Sequence, residues 1–77
     1  MELENKIFEI IKSNVKYNEE ITLQTELDED LNIGSFDRLM IINALEDEFK
    51  VQVEDSELSE IKTVNDIVEI IKKLIKT

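Results

Sequence analysis

Apolar residues recur every three or four positions in three separate stretches of this chain of 77 residues. This period is typical of one face of an α-helix. It predicts helices over about residues 2–15, 35–50 and 64–76, with a shorter helix around 55–61. Residues 51–53 alternate like a strand, but a strand without a partner has no place for its hydrogen bonds, so a loop is predicted there. Amphipathic helices must bury their stripes against one another, which predicts an all-α, small four-helix bundle with three main helices and one short one.

A long connection, residues 16–34, separates the first two helices. It lacks proline and serine-rich stretches, so we expect an ordered loop that is anchored in the core by apolar side chains, namely Ile21, Leu23, Leu27 and Leu31. The core itself is expected to include Ile42, Leu45, Phe49, Ile61 and Ile67. The length allows a single domain over residues 1–77. We expect a monomer.

The negative charge is concentrated in the middle of the chain. Residues 26–60 hold twelve acidic and two basic residues, and these account for the whole net charge of −10. Such a segment disfavours nucleic acid and anionic lipid, and it favours a protein partner with a basic docking patch. The N-terminus has no signal-peptide pattern and no apolar run is long enough to span a bilayer, which predicts a cytoplasmic protein without membrane insertion.

Catalysis by the chain itself is not expected. The chain has no Cys and no His, which removes zinc sites and the side chains most often used in acid–base and covalent catalysis. Asp28, Asp30 and Asn32 fit the start of a calcium loop, but Ile33 and Leu39 stand where glycine and glutamate are required. No metal site is therefore predicted. A catalytic carboxylate pair would need a walled cleft that a domain of this size can hardly form.

Ser35 is the candidate functional residue. It follows Gly34 where the acidic loop gives way to the second helix, and a hydroxyl there should be exposed. Serine is also a favoured helix N-cap, which alone would explain its position without any function. The neighbouring apolar and acidic side chains favour docking of a modifying enzyme, and a helix N-terminus favours an attached phosphate.

The segment around this serine resembles the heart of the acyl carrier proteins. Residues 31–49 read LNIGSFDRLMIINALEDEF, and the usual family pattern is a leucine, a pair of small residues, Asp-Ser-Leu-Asp, an apolar run and Ala-Leu-Glu-x-Glu-Phe. Residues 61–66 are similar to the Ile-x-Thr-Val-x-Asp motif that opens the family's last helix. The resemblance extends over nearly the whole chain.

The resemblance implies a carrier protein that is not itself an enzyme. Ser35 would receive 4′-phosphopantetheine from coenzyme A through a phosphopantetheinyl transferase that uses magnesium. The arm would carry acyl or aminoacyl groups as thioesters, for fatty-acid or specialised (polyketide, nonribosomal peptide or D-alanyl) biosynthesis. An acyl ligase or synthase would be the further partner. The residues expected to contact partners are Gly34, Phe36, Asp37, Leu39, Met40, Glu46 and Asp47.

Three positions depart from the family pattern. Gly34 stands where the family usually has Asp, Phe36 replaces the common Leu, and Met40 stands where Glu is frequent. The missing Asp puts recognition by the transferase in question, and the other two changes suggest a specialised partner or simple drift. The alternative function is an unmodified acidic adaptor that binds a basic protein.

Overall fold

The computed structural model of the protein describes residues 2–15 and 20–75. Its helices are α1 (Glu2–Asn14), α2 (Ser35–Phe49), α3 (Asp55–Leu58) and α4 (Val64–Ile75). The predicted all-α bundle of three main helices and one short one is therefore confirmed, with α3 shorter than expected. The predicted end of the last helix at residue 76, and residues 16–19 of the predicted loop, lie outside the described residues.

The helices enclose one apolar core. α1 contributes Ile7 and Ile11, and α4 contributes four residues of its apolar stripe. α2 buries Ile41, Ile42 and Leu45. All predicted core residues are buried except Phe49, which is half-buried because it is the last residue of α2 and packs at the margin of the core.

The loop between α1 and α2 is held in place by its buried apolar side chains and by hydrogen bonds of its backbone. Its predicted anchors Ile21, Leu27 and Leu31 are buried, and Leu23 is half-buried against the core. The sequence did not reveal its backbone pairing with the residues that precede α4. The N–H of Leu27 donates to the carbonyl of Lys62 (2.9 Å), and the N–H of Val64 donates to the carbonyl of Thr25 (3.0 Å). This pairing holds the loop beside the start of α4.

A capping box begins α4, as the sequence pattern Thr-x-x-Asp predicts. The N–H of Asp66 donates to the hydroxyl of Thr63 (3.3 Å), and the Asp66 carboxylate accepts from the N–H of Thr63 (3.0 Å). The same carboxylate oxygen accepts from the N–H of Lys62 (2.9 Å). These bonds from Lys62 and Thr63 hold the pKa of the Asp66 carboxyl below its usual value.

Replacing Asp66 by asparagine should therefore weaken the protein in a pH-dependent way. Because the folded-state pKa is depressed, the contribution of this carboxylate is complete above the unfolded pKa of about 3.9 and is lost as the pH falls through the folded value. We expect Asp66→Asn to lower the free energy of unfolding by about 1 kcal/mol at neutral pH. Urea unfolding of both proteins from pH 7 to about pH 2 measures the difference, which should shrink below about pH 4. A difference that stays constant with pH would contradict this account. Relief of repulsion among the other acids affects both proteins alike and cancels in the comparison.

Candidate functional site

The chain approaches α2 through a short turn that fixes where the helix begins. Leu31 is buried, and Asn32 follows with a φ of 52°, in the left-handed region that asparagine tolerates better than most residues. Ile33 is half-buried and its N–H donates to the carbonyl of Leu27 (3.4 Å). The buried leucine and the turn after it therefore place Ser35 at the start of the helix.

Ser35 is the first residue of α2 and is not its N-cap. The N-cap is Gly34, whose carbonyl accepts the first helical hydrogen bond, from the N–H of Arg38 (3.0 Å). The interpretation of Ser35 as a capping residue is thus wrong. Its side chain is exposed, and within residues 2–15 and 20–75 no hydrogen bond uses its hydroxyl. The hydroxyl lies at the end of a helix where an anion is favoured.

Gly34 has no conformational need to be glycine. Its φ of −87° and ψ of −178° are open to any residue, and a Cβ at this position would meet no atom within 4 Å. The Cβ of an aspartate, the residue that the family pattern has here, would therefore meet no neighbouring atom. The helix lacks a side-chain cap at this end only because the residue has no side chain.

An apolar cleft of about 130 Å³ opens beside the serine. Ser35, Leu39 and Ile42 line it from α2, and Leu58 lines it from α3. Its remaining wall is Arg38, one of the two basic residues between positions 26 and 60. Ser35 therefore lies at the edge of a small apolar space between two helices.

Arg38 links three segments around this cleft. Its side chain is 24% exposed, and Nη2 donates to the carbonyl of Leu58 at the end of α3 (3.3 Å). Nη1 lies 3.7 Å from Oδ1 of Asp28, in the acidic loop. The sequence marked Arg38 only as a rare base in an acidic segment, and these distant partners could not be predicted from helical spacing.

The outer face of α2 carries an unusual amount of exposed apolar surface. Phe36 is 72% exposed, Leu39 49% and Met40 45%. Positions 36, 40, 43 and 47 lie on one side of a helix, so the exposed residues Asn43 and Asp47 continue the same face. We call Phe36, Leu39, Met40, Asn43 and Asp47 the docking face. Asn43 was not among the residues expected to contact partners, although its spacing of seven from Phe36 places it on this face.

Besides Gly34, two further expected contact residues lie outside this face. Asp37 is exposed in the first turn of α2, where its charge complements the helix dipole. Glu46 is half-buried, and its Oε2 accepts a hydrogen bond from the N–H of Val53 (2.7 Å). One of its two carboxylate oxygens thus serves to hold the turn after α2.

Known proteins resemble this chain in sequence. The family described as "Phosphopantetheine attachment site" has a model that matches residues 5–71. An acyl carrier protein of Coprothermobacter proteolyticus is 38% identical over 77 residues, which cover 94% of each chain. An acyl carrier protein of Lactobacillus acidophilus is 40% identical over 72 residues, covering 92% of this chain and 90% of the other.

Solved structures agree with the sequence matches. A protein described as an acyl carrier protein from Mycobacterium tuberculosis superimposes with a TM-score of 0.87 at 28% identity, over 92% of this chain and 96% of that one. The acyl carrier protein of Thermotoga maritima superimposes with a TM-score of 0.81 at 29% identity, over 97% of this chain and 88% of that one.

These matches define a small helical carrier of the phosphopantetheine-binding class. The chain belongs to the acyl carrier protein family. Its cofactor is 4′-phosphopantetheine, and the members of this family carry substrates for enzymes and are not enzymes themselves. No helix in the described part of the chain is long and apolar enough to cross a membrane.

Proposed function

We propose that Ser35 is the attachment residue for 4′-phosphopantetheine. The observation that supports this most directly is its exposed hydroxyl, free of hydrogen bonds within the described residues, at the first position of α2 in the segment that the family model spans. The hydroxyl oxygen attacks the pantetheine-bearing phosphorus of coenzyme A. The pyrophosphate bond breaks, adenosine 3′,5′-bisphosphate leaves, and the serine proton passes to a base of the transferase.

The surroundings of Ser35 suit this group. The phosphodiester would lie at the N-terminus of α2, where unbonded backbone N–H groups and the helix dipole favour an anion. The thiol that the arm supplies binds acyl or aminoacyl groups as thioesters, a chemistry that this chain without cysteine cannot provide alone. The cleft between α2 and α3, at about 130 Å³, is well below the ~300–1,000 Å³ of common ligand pockets and suits a short acyl chain.

The docking face, together with Gly34, Asp37 and Glu46, is proposed to contact the partner enzymes. A phosphopantetheinyl transferase and an acyl ligase or synthase are the partners we expect, each with a basic patch that matches the acidic middle of the chain. The exposed apolar side chains Phe36 and Met40 favour a partner of specialised biosynthesis over one of general fatty-acid synthesis. Glu46 is expected to contribute less to partner binding, because one of its carboxylate oxygens already accepts a hydrogen bond from the N–H of Val53.

We further propose that residues 1–77 act as one carrier domain and as a monomer in the cytoplasm. A single apolar core receives residues from α1, α2, α4 and the loop before α2, which supports one folding unit. The cytoplasm is proposed because coenzyme A, the donor of the arm, must meet the chain there.

Incubation with coenzyme A, magnesium and a broad-specificity transferase should add one phosphopantetheine to the chain, as seen by intact-mass spectrometry. Ser35→Ala should gain nothing, whereas the matched control Ser56→Ala, at an exposed serine of α3, should be modified like the parent. An unmodified acidic adaptor predicts no mass gain with any transferase, and that result would refute the proposal. A gain by Ser35→Ala would refute the assignment to this serine.

Gly34→Asp should speed the modification, because it restores the residue that the family pattern has before the serine. The new Cβ meets no atom and an aspartate at the N-cap position can cap α2, so the free energy of unfolding should rise by about 0.5 kcal/mol. Gly34→Asn is the matched control, since it caps the helix without the charge. An initial rate raised equally by both variants would assign the effect to a better-ordered helix start. A rate unchanged in Gly34→Asp would show that Gly34 does not limit recognition.

Asp47→Asn should raise the KM of the transferase reaction without changing the stability of the carrier. Asp47 is exposed on the docking face, so the loss of one exposed ion pair predicts a KM increase of roughly threefold at low salt. Added salt should reduce the difference. Glu9→Gln, at an exposed acid of α1, is the matched control and should leave KM unchanged. Equal effects of the two substitutions would indicate a general charge effect and would contradict a docking face on α2.

A further inference from the structure

α3 is a weakly held element. It has four residues, none of them buried, and Leu58 is the side chain that it packs against the core. Its links to the longer helices include an ion pair of Glu57 with Lys73 of α4 (3.5 Å) and the hydrogen bond from Arg38 of α2 to the carbonyl of Leu58 (3.3 Å). An element with so few contacts is expected to open locally at low cost.

Arg38 holds this element across the cleft. Arg38 and Leu58 both line the space beside Ser35, and the hydrogen bond from Arg38 Nη2 to the Leu58 carbonyl joins these two walls. The ion pair with Asp28 is long, at 3.7 Å, and the Asp28 side chain is 66% exposed. Exposed pairs of this kind are weak, and a carbonyl is a neutral acceptor. The present partners of the guanidinium are therefore replaceable by a stronger one.

A phosphodiester on Ser35 would be that stronger partner. Positions 35 and 38 are neighbours on the helix surface, about 5–6 Å apart between their Cβ atoms. A guanidinium binds two phosphate oxygens at once, and such charge-assisted bonds are roughly twice as strong as neutral ones. The other base of the acidic segment, Lys50, ends α2 at the far side, some 18 Å along the axis from Arg38 at the helical rise of about 1.5 Å per residue.

We propose that Arg38 is a latch that holds α3 over the cleft while Ser35 is unmodified, and that the phosphodiester on Ser35 draws its guanidinium away from the Leu58 carbonyl. Attachment of the arm thus loosens α3 and opens the cleft to the acyl chain that the arm will carry. This inference rests on the proposed attachment at Ser35. It assigns to Arg38 a role in positioning α3 that changes when phosphopantetheine is attached to Ser35.

Amide hydrogen exchange tests the latch, with the unmodified and the modified protein compared. The N–H of Ile61 donates to the same Leu58 carbonyl (3.2 Å), so the amides of residues 58–61 report on the opening of this turn. In the parent protein, attachment of the arm should speed their exchange roughly fivefold, the effect of losing one hydrogen bond. In Arg38→Gln the unmodified protein should already exchange at the faster rate, and attachment should add nothing. The phosphorus NMR signal of the arm should also move between parent and variant, because Arg38 contacts the phosphate.

Arg38→Lys is the second variant, in case the glutamine variant does not fold. Lysine keeps the charge but lacks the planar fork, so its acceleration on attachment should be less than half that of the parent. No acceleration in the modified parent protein, or an equal acceleration in parent and variants, would overturn the latch. Intact-mass spectrometry on the same samples keeps the two proposals apart: an absent mass gain refutes attachment at Ser35, and a full mass gain with unchanged exchange refutes only the latch.

Discussion

The backbone pairing between the long loop and the residues before α4 is the constraint on which the rest of the structure depends. Three N–H groups, of Leu27, Val64 and Asn65, find carbonyl partners across this junction at 2.9–3.0 Å. Loop backbone must be hydrogen-bonded if it is to lie against an apolar core. When this backbone pairing forms, Leu27 and Leu31 are buried. Only a few residues then separate Leu31 from the start of α2 at Ser35. The position of Ser35 is thus determined by contacts some thirty residues away along the chain.

The concentrated negative charge of residues 26–60 opposes folding and also supplies hydrogen-bond acceptors within the fold. Twelve acids between residues 26 and 60 repel one another at neutral pH, which disfavours the compact state. Some of this charge is used within the fold: the carboxylates of Glu46 and Asp30 accept backbone N–H groups at 2.7 and 2.8 Å. Glu48 forms an ion pair with Lys6 of α1 (3.0 Å), and this hydrogen bond raises the pKa of the Lys6 ammonium. Most of the other acids of this segment are exposed, Asp37 and Asp47 of α2 among them, and exposed charge can attract a basic partner over a distance.

The parts of the molecule that follow from the spacing of apolar residues and from residue type at helix ends could be predicted from the sequence. Helices, the buried stripes and the capping box of α4 follow from spacing and from residue type at a helix start. The same reasoning located Ser35 at the start of α2. The alternative in which Ser35 is the N-cap is wrong, because the N-cap is Gly34, one position earlier, and both residue types are common there. The cleft and the contacts of Arg38 with Asp28 and Leu58 arise from the packing of distant segments, so no local pattern contains them.

The immediate neighbourhood of Ser35 differs from the rest of the acidic segment. Residues 32–36 carry no charge, between Asp30 on one side and Asp37 on the other, and Arg38 follows. In the proposed attachment, coenzyme A would bring negatively charged phosphates to this hydroxyl, and each nearby carboxylate would oppose them. Gly34 both removes one such charge and leaves the first N–H groups of α2 without a competing side-chain acceptor. We therefore expect Gly34 to act on attachment in two opposite ways: it lacks the carboxylate that the family pattern has before the serine, and it leaves the helix start more favourable for a phosphate. The faster modification predicted for Gly34→Asp requires the first of these effects to be the larger.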